Sequence, residues 1–112
     1  MSAIELSEES SVIGVLKKMS KPVVLVFLGN QTKADGTLSA SGKMKAVIEA
    51  LAEDPAMNGA QLLIKNFDAE GTVEKFYDVQ SGPTTLLIQT KTIVGHYTQD
   101  WMKQTIKDEF HL

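Results

Sequence analysis

The sequence predicts an α/β fold, a mixed central sheet with helices on both faces. Three observations carry it. Short apolar runs alternate with stretches of helical apolar spacing through the first two thirds of the chain, the pattern of parallel strands joined by crossover helices. One run, Val23-Val24-Leu25-Val26-Phe27-Leu28, has no polar position, which suits a strand covered on both faces at the centre of a sheet. Near the end, two apolar runs are separated by only a few polar residues. That spacing makes a hairpin and adds antiparallel pairing to the sheet.

Each element follows in turn. Ile4 and Leu6 fit a short first strand. Ser7-Glu8-Glu9 opens a helix, with a hydroxyl cap and acidic residues near the positive end of the dipole. Val12, Ile13, Leu16 and Met19 continue it at helical spacing, with Lys17 and Lys18 in the last turn. Ser20-Lys21-Pro22 stops it, because the residue before a proline is pushed out of the helical region. After the central run, Gly29 to Thr37 is a polar loop. A second helix begins at Ser39 or Ser41 and presents Met44, Val47, Ile48 and Leu51 on one side. Asp54-Pro55 ends it, and Asn58-Gly59 is a turn signal. Gln61 to Phe67 reads as a strand. A short helix around Thr72 to Tyr77 packs Val73, Phe76 and Tyr77.

The strand Thr84 to Ile88 follows Pro83 directly. A proline cannot donate a ladder hydrogen bond, so it fits a strand start or a special turn, and a cis Gly-Pro bond is one way to make that turn. Lys91-Thr92 is expected as the tight turn, with Ile93 to Tyr97 returning as the hairpin partner. Gln99-Asp100 opens a last helix in which Trp101, Met102, Thr105, Ile106 and Phe110 can face the sheet. Trp101 turned outward would instead mark an interface. No internal repeat, low-complexity tract or linker divides the chain, so residues 1–112 are read as one domain.

Composition narrows the chemistry. The chain is 43% hydrophobic, 22% charged and carries a formal charge of −3, an ordinary globular balance. All eleven basic residues are lysine and they are scattered. Without arginine there is no guanidinium fork for phosphate or guanine, which argues against nucleic acid as a partner. There is no cysteine, which excludes disulfides, thiolate nucleophiles and cysteine-based metal sites. The first residues lack the basic and apolar regions of a signal peptide, and the run Val23 to Leu28 is far too short to span a membrane. A cytoplasmic protein without membrane contact is the expectation. Asn30-Gln31-Thr32 matches a glycosylation acceptor and is read as chance in that setting.

Chemically suggestive residues are few. Ser39, Ser41, Gly42 and Lys43 sit at a helix N-terminus, where free N–H groups could meet an anion. The phosphate-loop spacing fails twice, because five residues separate Gly36 from Gly42 and Met44 follows Lys43. A serine cap beside a solvated lysine is the simpler reading. His96 and His111 have no companion at ligand spacing, and both read as surface residues. Asp68 and Glu70 belong to ordinary turn chemistry. The Gly-x-Ser-x-Gly pattern of serine hydrolases is absent. No cofactor or metal site and no enzymatic activity is expected.

Several segments together resemble the thioredoxin family. Val24-Leu25-Val26-Phe27 sits where that family has its central strand, and Gly42-Lys43-Met44 is similar to the start of its long helix. Asn66-Phe67-Asp68 resembles its Asn-Ile-Asp segment. Gly71-Thr72, Lys75-Phe76, Val79 and Gly82-Pro83-Thr84-Thr85-Leu86-Leu87 follow its approach to a cis-proline, and Gly95 fits its hairpin. The resemblance covers nearly the whole chain and implies a thioredoxin-like fold. It also exposes departures. The family's Cys-x-x-Cys falls on Ser39-Ala40-Ser41-Gly42, its buried aspartate on Val26 and the following tryptophan on Leu28. The loop ahead of the helix is longer than the family's. Together these point to natural divergence rather than to replacement of the thiols alone.

What the resemblance implies about function is therefore selective. In the family, the residue before the cis-proline pairs main-chain groups with an extended peptide, an interaction that needs no thiol. It would fall here on Ser81, Gly82, Pro83 and Thr84, with Gly82 expected to leave room for a ligand. The leading expectation is a non-catalytic adaptor or assembly component that binds a protein or peptide through the Gly29–Lys43 loop and the Gly82-Pro83 turn. The alternative is a small-ligand or anion site at the N-terminus of the second helix. A purely structural subunit of a larger assembly, including a viral one, is a third reading.

Overall fold

The computed structural model describes residues 4–5, 9–17, 21–88 and 91–110. Nine main elements follow one another: β1 (Ile4–Glu5), α1 (Glu9–Lys17), β2 (Val23–Leu28), α2 (Ala40–Ala52), β3 (Gln61–Asn66), α3 (Thr72–Phe76), β4 (Thr84–Ile88), β5 (Lys91–Val94) and α4 (Gln99–Phe110). A single 3-10 turn, Pro55–Met57, follows α2, with Asp54 capping it through Ala56 N–H at 2.9 Å. That bond first, and Lys103 second, hold the Asp54 carboxyl below its ordinary pKa.

The strands form one sheet in the order β1-β3-β2-β4-β5. β3 pairs in parallel with β1 and β2, while β4 pairs antiparallel with β2 and β5. The expected mixed sheet is therefore found, with the all-apolar strand β2 at its centre. Alternation along β2 divides the core. Val24, Val26 and Leu28 pack with Met44, Ile48 and Leu51 of α2 and Met102 and Ile106 of α4. Val23, Leu25 and Phe27 pack on the other face with Val12 of α1 and Val73 of α3. Each such side chain contributes roughly 1.5–3 kcal/mol on burial. Among the described residues, no helix is long and apolar enough to cross a membrane.

Three expectations are corrected. Lys91 and Thr92 are strand residues and not the turn: they pair with Leu87 and Leu86. β5 stops at Val94 and does not reach Tyr97, because Gly95 takes a φ of +100° and donates its N–H to Pro83 O at 2.8 Å. Phe76 is not packed: it is 78% exposed, whereas Val73 is buried and Tyr77 only partly so. At about 100° per residue, Val73, Glu74 and the capping Tyr77 share the inward arc, and Phe76 falls outside it. The expected cap at Ser7, the ends at Leu6, Lys18, Met19 and Ser20, and His111 lie outside the described residues.

Two buried polar features stand out in this apolar frame. The Thr85 hydroxyl, opposite Val26 in the β2–β4 register, is fully buried without a hydrogen-bond partner. An orphaned hydroxyl costs about 1–3 kcal/mol, and a valine of the same shape carries no such cost. Thr85→Val should raise stability by about 1 kcal/mol, read as a higher urea midpoint; an unchanged or lower midpoint would contradict this. The second feature is a buried ion pair. Lys65 Nζ of β3 lies 2.6 Å from Glu74 Oε2 of α3, with both side chains almost wholly buried. The same oxygen accepts the Asp68 N–H at 2.7 Å, while Oε1 is buried without a partner. Lys65 also donates to Asn66 O at 3.3 Å and lies 5.9 Å from the centre of the Phe27 ring.

Candidate functional site

The candidate residues converge at the C-terminal end of β2. Beyond Leu28 the chain enters the long loop and folds back on itself. Thr32 forms an isolated antiparallel bridge with Leu38, and Lys33 N–H donates to Thr37 O at 2.7 Å. Asp35 closes the tip by accepting from the Thr37 hydroxyl at 2.7 Å and the Thr37 N–H at 3.0 Å. The hydroxyl bond is the first cause of the lowered Asp35 pKa. This loop leads into α2, whose N-cap is Ser39, one of the two starts its sequence offers.

Both serine hydroxyls of the alternative anion site have internal work. Ser39 Oγ accepts the Gly42 N–H at 3.2 Å and donates to Asn30 O. Ser39 N–H donates to Gln31 O at 3.0 Å. Ser41 is 3% exposed, and its Oγ accepts the Gly29 N–H at 2.8 Å. The helix end is thus stitched to the loop that precedes it. Lys43 alone of that group is exposed.

Two glycines let the main chain close in. A Cβ on Gly42 would overlap the Gln31 carbonyl oxygen and press on Leu38 Cδ2 at 3.0 Å. A Cβ on Gly82 would overlap the Gly29 nitrogen and lie 3.0 Å from the Leu28 carbonyl carbon. The expectation that Gly82 leaves room for a ligand is therefore corrected. The space that its missing side chain frees holds the Gly29 backbone. The signal for this was present in the sequence as three glycines, at 29, 42 and 82, but only the fold brings them together.

The proline turn lies beside this knot. The Gly82–Pro83 bond is cis, and Pro83 is buried. Ser81 O accepts the Thr84 hydroxyl at 2.7 Å, which fixes the entry into β4 and leaves Thr84 buried. Pro83 O accepts the Gly95 N–H at 2.8 Å and so ties the turn to the end of β5. Ser81 itself is exposed.

Sequence reasoning missed what surrounds the turn. Leu38, just ahead of α2, is 52% exposed, and Val94, just ahead of Gly95, is 59% exposed. Tyr97 and Trp101 follow Gly95 and are exposed, with rings stacked at 4.2 Å and 20°. The outward Trp101 is the alternative that its sequence position left open. A polar crevice of about 630 Å³ is lined by Leu28, Gly29, Asn30, Gln31, Asn66 and Phe67. His96 is exposed, and Asp68 Oδ1 accepts the Glu70 N–H at 2.9 Å as a turn residue does. Among the described residues, no cluster of three His, Asp or Glu side chains is placed to hold a metal ion.

Comparison with known proteins bears on the fold. No protein-family model and no curated protein matches the sequence. Among solved structures, a thioredoxin variant from Halobacterium salinarum superposes with a TM-score of 0.77 at 19% identity, over 99% of this chain and 93% of its own. A protein named Trxlp from Edwardsiella tarda gives 0.72 at 12% identity, over 93% and 98%. The Malassezia sympodialis thioredoxin gives 0.71 at 14% identity, over 96% and 91%. The chain has a thioredoxin-like fold. It has no cysteine with which to perform thiol–disulfide exchange.

Proposed function

We propose that this thioredoxin-like chain is a non-catalytic binding module that engages a protein partner at the end of the sheet carrying the Gly82-Pro83 turn. One observation carries the reading: Leu38, Val94, Tyr97 and Trp101, four exposed large apolar side chains, lie on the segments knotted around that turn. Tyrosine and tryptophan concentrate binding energy at interfaces because each offers a large rigid surface with a polar edge. The exposed Ser81 and the polar loop supply a rim that can hydrogen-bond. The role is adaptor or assembly component, and it requires neither cofactor nor nucleic acid.

The reading differs from peptide capture by the Gly82 main chain alone. Gly82 lies against Gly29, so the apolar residues around it, and not a slot at Gly82, are the contact surface. The anion-binding alternative keeps only Lys43 of its three groups, because the Ser39 and Ser41 hydroxyls bond within the chain.

Affinity capture with the full chain tests the proposal. One dominant protein should be recovered, and Leu38→Asp or Trp101→Ala should each cut its affinity about tenfold or more. Both residues are exposed, so the melting temperature should stay near that of the parent chain. Undiminished recovery with both variants would place the interface elsewhere and sink this assignment.

A further inference from the structure

Away from that end, α1 and α3 leave an apolar groove of about 370 Å³ between them. Ile13, Leu16, Val73 and Tyr77 form its walls, and Lys17 is the charged residue among those that line it. Phe76 lines the same groove yet projects into solvent, its ring edge-on to Tyr77 with centroids 4.9 Å apart. A phenylalanine left in water forgoes the stabilisation that burying its ring would give. An exposed ring beside an open apolar hollow therefore marks a contact surface.

We infer that this face pairs with a second copy of the chain, each Phe76 ring entering the α1–α3 groove of the other. The surface carries both halves of such a contact side by side. A two-fold axis through the groove supplies a ring for every hollow and a hollow for every ring, as an isologous interface requires. The charges agree with this occupant. Lys17 stands on the α1 side of the groove, and the exposed Asp78 follows Tyr77 on the α3 side. An axis that sets α1 of one copy against α3 of the other places Lys17 opposite Asp78 twice. The nearby Lys75 and Glu70 already pair with each other at 3.2 Å. A contact made by one ring and one hollow on each side belongs with small, transient interfaces, with a dissociation constant of about 10 µM to 1 mM.

Sedimentation equilibrium of the full chain, from about 10 µM to about 2 mM, brackets that range. The mass should rise from 12.2 kDa toward twice that value. Phe76→Asp should raise the dissociation constant about tenfold or more with no loss of melting temperature, since the ring is exposed. Lys17→Glu should also weaken association, by setting acid against acid. Adding Asp78→Asn, a residue that tolerates the φ of +56° there, should recover part of that loss. A mass fixed at 12.2 kDa throughout, or a dimer that Phe76→Asp leaves intact, overturns the inference. A dimer lost instead with Leu38→Asp belongs to the other end of the sheet and overturns it equally.

Discussion

Lys65→Met should destabilise the chain by about 3–5 kcal/mol, and Glu74→Leu by a similar amount. Each removes one partner of a fully buried ion pair and leaves the other charge with no water to solvate it. Glu74→Leu also strands the Asp68 N–H that the carboxylate accepts. Against a total stability of roughly 5–15 kcal/mol for a domain of this kind, either loss is a large share. The double replacement behaves differently, because it removes both charges and fills the space with apolar atoms. It should recover most of the loss and come within about 1–2 kcal/mol of the parent chain. Urea unfolding of the four proteins closes the cycle. Two single variants whose losses simply add in the double would show that the charges do not depend on each other.

Gly82→Ala and Gly42→Cys form the second large expectation. In both, the new Cβ meets main chain first, and at Gly42 it also presses on Leu38 Cδ2. The Gly29 and Gln31 backbones cannot retreat without breaking the bonds from Gly29 N–H to Ser41 Oγ and from Ser39 N–H to Gln31 O. Overpacking of this kind costs about 3 kcal/mol, near the top of the usual range, which lowers the melting temperature by about 10 °C or more. Gly42→Cys is the informative one, because it occupies the position where the resemblance puts a family cysteine. Even with Ser39→Cys beside it, the pair should not give a well-folded dithiol. Calorimetry reads the first effect and thiol titration under native conditions the second. A double variant that melts with the parent chain and forms a disulfide freely would refute the idea that the loop's main chain has closed this site.

The fold was legible because its signals are local and repeat. The unbroken apolar run at Val23 to Leu28 marks a sheet centre, Ser39 caps a helix, and Pro83 abuts a strand. What escaped depends on distant partners. Lys65 lies in a strand where a lysine ordinarily means a wet face, and nothing nearby announces that Glu74 will close over it. In the sequence Gly82 reads as empty space because its occupant, Gly29, is far away along the chain. Phe76 is core-like in kind, and the arc shared by Val73, Glu74 and Tyr77 leaves it facing outward. Nothing local marks Leu38 or Val94 as surface; the return of the long loop and the early end of β5 expose them. Boundaries failed where a turn depends on pairing register, as at Lys91-Thr92.

The strand order also sets a schedule for synthesis. β2 borders β3 on one side and β4 on the other. Its second neighbour is made roughly 60 residues after β2 itself. At ribosomal speeds of about 5–20 residues per second, that is a delay of roughly 3–12 s. Throughout it, one edge of a six-residue aliphatic and aromatic strand lacks its native partner. An unpaired apolar edge is the species that neighbouring nascent chains capture. The most buried strand of the finished protein is thus its most vulnerable segment while it is being made.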